Sequence, residues 1–341
     1  MPLKQLSPAD LTTQDLEDWC SVLNDMTSSD MPGEPRWQAD RLRDYLALNM
    51  VDEFRQAFLV RDDDTDEMLG HANLLLFGGN HRGTGVLELF VRPSARGKGV
   101  GRKLLHAVAT CAKKQGCDDL AVEVIATTPA VGFYDQMGFK RDVVEERHLL
   151  KWSSVDWNKV HEAAGRVAAG YRLEYFSGSM PEEILEPYAE LKAYLRGSAE
   201  PIALTTDRRG STNVDRLRDS LQTLQKRGMR SHIMVAISEP YNNVVGLTEL
   251  VVSAQRPTRA DQYDTVVAHE HKSYGLALTM KARLLTELKN AEPQLLDVQT
   301  WTTEEARDIK WVNSQLGFVH DVDWYEYETS VDDLLQRLEA S

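Results

Sequence analysis

Two stretches of the chain match each other at a fixed separation, and the match holds through four successive landmarks. Gly70 in MLGHANLLLF pairs with Gly246 in VVGLTELVVS (246 − 70 = 176), and Glu88 in VLELFV with Asp264 in QYDTVV (264 − 88 = 176). Arg96 in ARGKGVG pairs with Lys272 in HKSYGLA (272 − 96 = 176), and Gly138-Phe139 with Gly317-Phe318 (317 − 138 = 179). Self-similarity at one period means that the chain holds two copies of one folding unit. The period is far too long for a solenoid, so each copy is a whole domain. The copies carry different residues at several of the matched positions, and those differences bear on function.

Length agrees with duplication, because 341 residues is enough for about two domains, each with its own core. An apolar fraction of 42% with 27% charged residues is that of an ordinary globular chain. No apolar run approaches the roughly 18 residues of a membrane helix, and the opening MPLKQLSPADL is too polar for a signal peptide. Cys20, Cys111 and Cys117 are odd in number and lack the paired spacing of a metal site, so a reduced, cytoplasmic setting is expected. A net charge of −14 disfavours nucleic acid and anionic membranes as partners and suits small cations.

The first copy reads as a short strand (LKQLS), a helix from about Leu11 to Met26, a breaker cluster (SSDMPGEP) and a second helix near Arg36 to Asn49. FRQAFLVRD and MLGHANLLLF are strands separated by the acidic turn DDDTDE, and GVLELFV is a fourth. In that strand Leu87, Leu89 and Val91 share one face, with Glu88 and Phe90 on the other. Val100, Leu104, Leu105, Val108, Cys111 and Ala112 recur at helical spacing until Gly116. DLAVEVIA is a buried strand, PAVGFYDQM a short helix and RDVVEERHLLKW a closing strand. These place an N-terminal domain at 1–154, a linker helix at 155–170 and a C-terminal domain at 171–341. In the second copy Leu276, Met280, Leu284 and Leu288 repeat the apolar stripe of Val100, Leu104, Val108 and Ala112. The expected class is α/β, with a mixed, mostly antiparallel sheet flanked by helices in each copy.

The sharpest motif is strand, ARGKGVG, helix. Glycines at 97, 99 and 101 let a ligand approach the backbone closely, and N–H groups at a helix start point at an anion such as a pyrophosphate. A Rossmann fingerprint belongs on a first strand, whereas this loop follows the fourth. The Gly-Lys-Ser/Thr end of a P-loop is absent too, since Val100-Gly101 follows Gly99. In this setting the chain resembles the GNAT superfamily of acyl-CoA-dependent N-acyltransferases. The family motif Arg/Gln-x-x-Gly-x-Gly/Ala is matched by Arg96, Gly99 and Gly101, and an aromatic pair before Gly-Phe by Phe133-Tyr134 and Gly138-Phe139. The resemblance implies acetyl-CoA as co-substrate. Phe90 and Val91 then contribute backbone groups to the pantetheine arm, and Arg96, Gly97, Lys98, Gly99, Val100, Gly101 and Arg102 hold the phosphates, with Thr127 completing the cofactor site. The tandem arrangement also resembles mycothiol synthase-like two-domain relatives.

Acyl transfer to an alkylamine needs a base, because at pH 7 such an amine is neutral about once in 10³ molecules, a deficit of roughly 4 to 5 kcal/mol. Glu88 is the candidate base, with Glu123 on the neighbouring strand as the alternative. A strand carboxylate that only forms a salt bridge is the competing account. Backbone N–H groups near Val91 can stabilise charge on the thioester oxygen. Tyr134 stands where the family places its general acid, although an aromatic pair before Gly-Phe also packs well in a core. No cysteine or serine lies in a nucleophile context, so transfer is expected to be direct.

The second copy has Lys272 for the arginine and Ser273 for Gly97, yet keeps Gly275 and Ala277. Asp264 retains a carboxylate, but Asn313 replaces Tyr134 (313 − 134 = 179). The first copy is therefore expected to carry the chemistry, with the second structural or lining the cleft. Two alternatives stand: an active second copy, as the mycothiol synthase resemblance implies, or a non-catalytic coenzyme A-binding sensor or scaffold. His269-Glu270-His271 lacks the i, i+4 spacing of a zinc helix and reads as a strand end, so no metal is expected. Asp62-Asp63-Asp64 reads as a solvated hairpin tip. Trp37, Tyr45 and Trp311 are possible cleft residues with core packing as the default. The acceptor is expected to be a small, cationic primary amine.

Overall fold

The computed structural model describes residues 1–50, 52–78, 83–197 and 214–340. The fold is α/β, and it divides into two compact units, Met1–Val144 with Asp323–Ser341, and Glu145–Val322.

The first unit carries β1 (Leu3–Leu6), α1 (Thr13–Asp30), α2 (Leu42–Ala47), β2 (Glu53–Arg61), β3 (Met68–Phe77) and β4 (Thr84–Val91). Next come α3 (Val100–Lys114), β5 (Asp119–Ile125) and α4 (Ala130–Gln136). Strands β1 to β4 form an antiparallel meander, and β5 then joins β4 in parallel. Helix α1 starts at a capping box in which Thr12 and Asp15 satisfy each other's backbone N–H groups. It runs four residues past the expected end, into Asp30. Helices α1 and α2 cover one face of the sheet through Leu16, Trp19, Leu23, Leu42 and Leu46. Helix α3 covers the other through Val100, Leu104, Leu105, Val108 and Ala112, all of them buried. Each fully buried aliphatic side chain contributes roughly 1.5 to 3 kcal/mol, so this repeated stripe is a main source of the unit's stability.

Gly70, the first landmark of the duplication, has a packing reason. A Cβ there would lie 2.7 Å from the Phe90 carbonyl oxygen and 3.1 Å from Val100. At Gly246 it would lie 2.9 Å from Met280. In both copies the helix after the loop presses directly on this strand.

The second unit contains α5 (Trp157–Gly165), β7 (Tyr171–Ser177), α6 (Glu182–Gly197), α7 (Val214–Lys226), β8 (Met229–Ser238), β9 (Asn243–Ser253) and β10 (Arg259–Val267). After these come α8 (Leu276–Ala291), β11 (Asp297–Thr303) and α9 (Arg307–Leu316). Helices α6 and α7 pack on one face and α5, α8 and α9 on the other.

Two strands straddle the units, β6 (Lys140–Lys151) and β12 (Val319–Ser330), the latter followed by α10 (Val331–Glu339). Residues 145–151 of β6 pair antiparallel with β11 in the second unit, whereas residues 324–330 of β12 pair with β5 in the first. The division thus differs from the expected boundaries at 154 and 171. Each sheet takes its sixth strand from the end of the other copy, and helix α10 packs with α3 in the first unit's core. Among the described residues no helix is long and apolar enough to cross a membrane, and Cys20, Cys111 and Cys117 are free and buried.

Candidate active site

In the first unit β4 and β5 are hydrogen-bonded only from Thr84–Leu87 to Asp119–Val122. They part at Glu88 and Glu123, which project to the same face because Leu87 and Val122 before them both enter the α3 core. Backbone direction along the parted edge follows from the pairing with β3. The Arg92 N–H donates to the Leu69 carbonyl at 2.9 Å, and in an antiparallel pair alternate residues turn to the partner. Arg92 and Phe90 therefore face β3, and Leu89 and Val91 present their N–H and C=O groups to the gap. Phe90, in contrast to Val91, turns its carbonyl to Gly70 and packs its ring beside His71 at 5.3 Å. Leu89 is the edge residue that the motif did not indicate.

Glu88 is half-buried and accepts a hydrogen bond of 3.1 Å from Asn73 Nδ2. Asn73, fully buried, stands directly opposite it on β3. The neighbouring cation Arg55 is engaged by Glu53 and lies 5.2 Å over the Tyr45 ring. Below this row His71 is sandwiched against Trp19, with ring centres 3.8 Å apart. Burial lowers its pKa well below the usual histidine range, so it is neutral. Trp37 and Tyr45 pack against the α1 cluster on this face.

The loop after β4 ends at Gly99, which caps α3 in the left-handed region at φ +82. Gly97 is also left-handed (φ +72), and a Cβ on either would meet nothing within 4 Å. No side chain caps the helix, and Lys103 is the first N–H to bond back, to the Gly99 carbonyl. The N–H groups of Val100, Gly101 and Arg102 are thus left at the positive end of a 15-residue helix, beside open space. These residues fit a pyrophosphate. The Arg96 fork is occupied by Asp30 at the end of α1, at 2.8 and 2.6 Å, while Arg92 binds Asp25 and Ser21 on the same helix. Arg96 therefore anchors the loop. Lys98 is exposed on the loop, and Thr127 is exposed in the turn after β5.

Tyr134 on α4 is buried among Phe133, Phe139 and Tyr327, and among the described residues its hydroxyl has no hydrogen-bond partner. Burial raises its pKa, so the phenol is protonated at neutral pH.

Residues 17–139 match the family profile described as Acetyltransferase (GNAT) family. The first copy therefore carries a GNAT acetyltransferase segment. A solved tandem GNAT protein from the clavulanic acid biosynthesis pathway is similar over 97% of this chain and 99% of its own, with TM-score 0.82 and 21% identity. A GCN5-related N-acetyltransferase from Sphaerobacter thermophilus aligns over 96% of each chain, with TM-score 0.65 and 14% identity. Saccharomyces cerevisiae N-myristoyltransferase, solved with bound myristoyl-CoA, covers 96% of this chain and 83% of its own, with TM-score 0.61 and 12% identity. These likenesses establish a tandem GNAT fold. No curated protein sequence matches significantly.

The second GNAT copy departs from the first where it matters. Its parallel strands part after Asp261 and Gln299, and Gly275 caps α8 at φ +69 with open space around it. Asp264, however, is bound to Lys192 at 2.9 Å. Asn313 is wholly buried, and among the described residues neither of its polar side-chain atoms has a hydrogen-bond partner. His269–Tyr274 forms a short 3-10 helix, not a strand end, and His271 Nδ1 lies 2.7 Å from the Tyr171 hydroxyl. Lys272 and Ser273 sit within it, and Ala277 follows in α8. Among the described residues no cluster of three metal-ligating side chains occurs. Asp62 spends its carboxylate on the turn, accepting from the Asp64 and Thr65 N–H groups. Trp311 is exposed. Besides Leu89, three candidate site residues escaped the sequence reading: Asn73, Glu249 and Lys192. The 176-residue offset links the first two and could have shown them.

Proposed function

We propose that the chain is a cytoplasmic N-acyltransferase that moves the acetyl group of acetyl-CoA to a primary amine, and that its first copy carries the reaction. One observation carries this reading. Where β4 and β5 part, a carboxylate whose one hydrogen-bond partner among the described residues is a neutral amide (Glu88) stands beside an open backbone edge (Leu89 and Val91). The Gly99 helix start, an anion cradle, follows on the same chain segment. Gly97 to Arg102 hold the pyrophosphate and Val91 the pantetheine arm.

Glu88 takes a proton from the bound ammonium and frees its lone pair to attack the thioester carbonyl. The N–H groups of the parted edge face the oxygen that gains charge. As the C–S bond breaks, Tyr134 supplies a proton to the departing thiolate and is reprotonated by the second proton that the nitrogen sheds on becoming an amide. Glu123 shares the face of Glu88 and is the alternative base. The second copy is non-catalytic in this reading, because its carboxylate is neutralised by Lys192 and its acid is replaced by Asn313. Its Gly275 cap favours retained coenzyme A binding.

The test is Glu88→Gln. The rate should fall by about 10² to 10⁴-fold, most at neutral pH, with partial recovery at higher pH where more amine is already neutral. Wild-type rate with an unchanged pH profile refutes the assignment.

A further inference from the structure

The duplication lets one copy interpret the other. In the first, Asn73 and Glu88 face each other across β3 and β4. At the matched positions (249 − 73 = 176; 264 − 88 = 176) the second has Glu249 and Asp264, with a register shift between Gln262 and Thr265 on β10. Between these carboxylates lies the ammonium of Lys192, reaching in from α6. Its Nζ is 2.8 Å from Glu249 and 2.9 Å from Asp264. It is also 3.5 Å from the Tyr188 hydroxyl and 5.4 Å from the centre of that ring. Tyr188 in turn donates to Glu249 at 3.0 Å.

Two carboxylates, a hydroxyl and an aromatic face around the tip of an unbranched four-carbon stem make a complete receptor for a primary ammonium. An ion pair that merely stabilised the unit could stand anywhere in the sheet. This one stands on the two positions that form the base and its hydrogen-bond donor in the first copy.

We propose that Lys192 is the built-in ligand of the second copy: its side chain fills the acceptor position, and its removal uncovers a binding site for unbranched primary alkylammonium ions. By the equivalence of the copies, and resting on the reading of Glu88 as the acceptor-facing carboxylate, the first copy takes the same class from solution. Among the described residues no cation forms an ion pair with Glu88, and Arg55, which acts on it at longer range, is engaged by Glu53. Lys192 is an occupant and not an acceptor. Burial acts to discharge it, but Asp264 and Glu249 outweigh burial and hold it protonated, so it has no lone pair to offer a thioester.

The test uses the full chain with Lys192→Ala and Lys192→Met, followed by thermal unfolding with n-butylammonium, tetramethylammonium or neither. Both variants leave two buried carboxylates unpaired, and their unfolding midpoints should fall by on the order of 10 °C. Millimolar n-butylammonium should restore part of the loss in Lys192→Ala only, since the methionine stem still fills the position. Tetramethylammonium, which has no N–H to donate, should restore neither. If Lys192→Ala is recovered unfolded, the same cations are added during refolding, with recovery expected in n-butylammonium alone. Equal rescue by both cations, rescue by neither, or rescue of Lys192→Met overturns the proposal. On wild type, n-butylamine should be acetylated, and Glu88→Gln should lose that activity. Acetylation of branched or aromatic amines but not of n-butylamine overturns the substrate class. Titration with acetyl-CoA separates the two readings, because failure to bind it refutes the acyltransferase assignment and leaves the rescue result untouched.

Discussion

Lys281 should be a liability that leucine removes. It lies on the buried face of α8, 1% exposed, and among the described residues its Nζ has no hydrogen-bond partner. The ammonium lies 5.4 Å from the centre of the Phe318 ring. The matched position in the first copy (281 − 176 = 105) is Leu105, fully buried in an equivalent helix. Burial pulls the Lys281 pKa from 10.5 down to about 7. At roughly 1.4 kcal/mol per pKa unit, keeping the ammonium in the core costs on the order of 5 kcal/mol. The sign follows from proton counting. Below pH 7 both folded and unfolded chains are protonated here, and the whole cost falls on the fold. Between pH 7 and 10.5 the unfolded chain holds the proton and the folded chain does not, so stability rises with pH. Lys281→Leu should therefore raise the unfolding midpoint of the second unit by on the order of 10 °C near pH 7. The advantage should be full below pH 7 and shrink toward pH 10.5. Calorimetry of both proteins across that range measures it. A variant no more stable than wild type, or one with the same pH slope, refutes the reasoning. Nothing in the structure explains why a lysine stands there.

Gly99→Val places a β-branched side chain at a left-handed position that opens into the phosphate cradle. Acetyl-CoA affinity measured by calorimetry should fall at least about tenfold, and the unfolding midpoint should fall modestly too, because valine is strained at a left-handed φ even though its Cβ meets no protein atom. Tyr134→Phe keeps the ring contacts and removes only the hydroxyl. Turnover should drop substantially in steady-state assays while acetyl-CoA binding is preserved. Asn313→Ala, in contrast, should leave turnover within a few-fold. If Asp264→Asn slows turnover and Glu88→Gln does not, the active site lies in the second copy.

The parts of the fold legible in the sequence were those that bury the same atoms twice. Val100, Leu104, Val108 and Ala112 recur as Leu276, Met280, Leu284 and Leu288, and all eight are buried. Gly70 and Gly246 recur because a helix presses on each. The Gly97–Gly101 loop was legible for a similar reason, since left-handed backbone before a helix leaves few residue choices. The exchange of closing strands was not legible. Period-2 alternation marks RDVVEERHLLKW as a strand but cannot say which neighbour it pairs with, and the strand and helix after Phe318 were not read at all. His269–Tyr274 misled for the opposite reason, since a 3-10 turn of polar residues leaves no periodicity to detect.

Lys192 escaped for a more instructive reason. It lies on a helix with no matched landmark, so the repeat points to nothing there, and a single lysine in an amphipathic helix reads as surface. Its role becomes visible only from the strands it reaches. Duplication began with one site in two places, and each copy met the same electrostatic problem of a carboxylate in a partly buried cleft. The first copy pairs Glu88 with a neutral amide, which keeps the charge available to a ligand. The second places a second carboxylate opposite the first and neutralises both with one ammonium of its own. Restoring a working site there therefore takes more than replacing Asn313 with tyrosine. The lysine must leave as well, and with it one of the two carboxylates, because a doubly charged pocket without its cation does not stay folded at little cost.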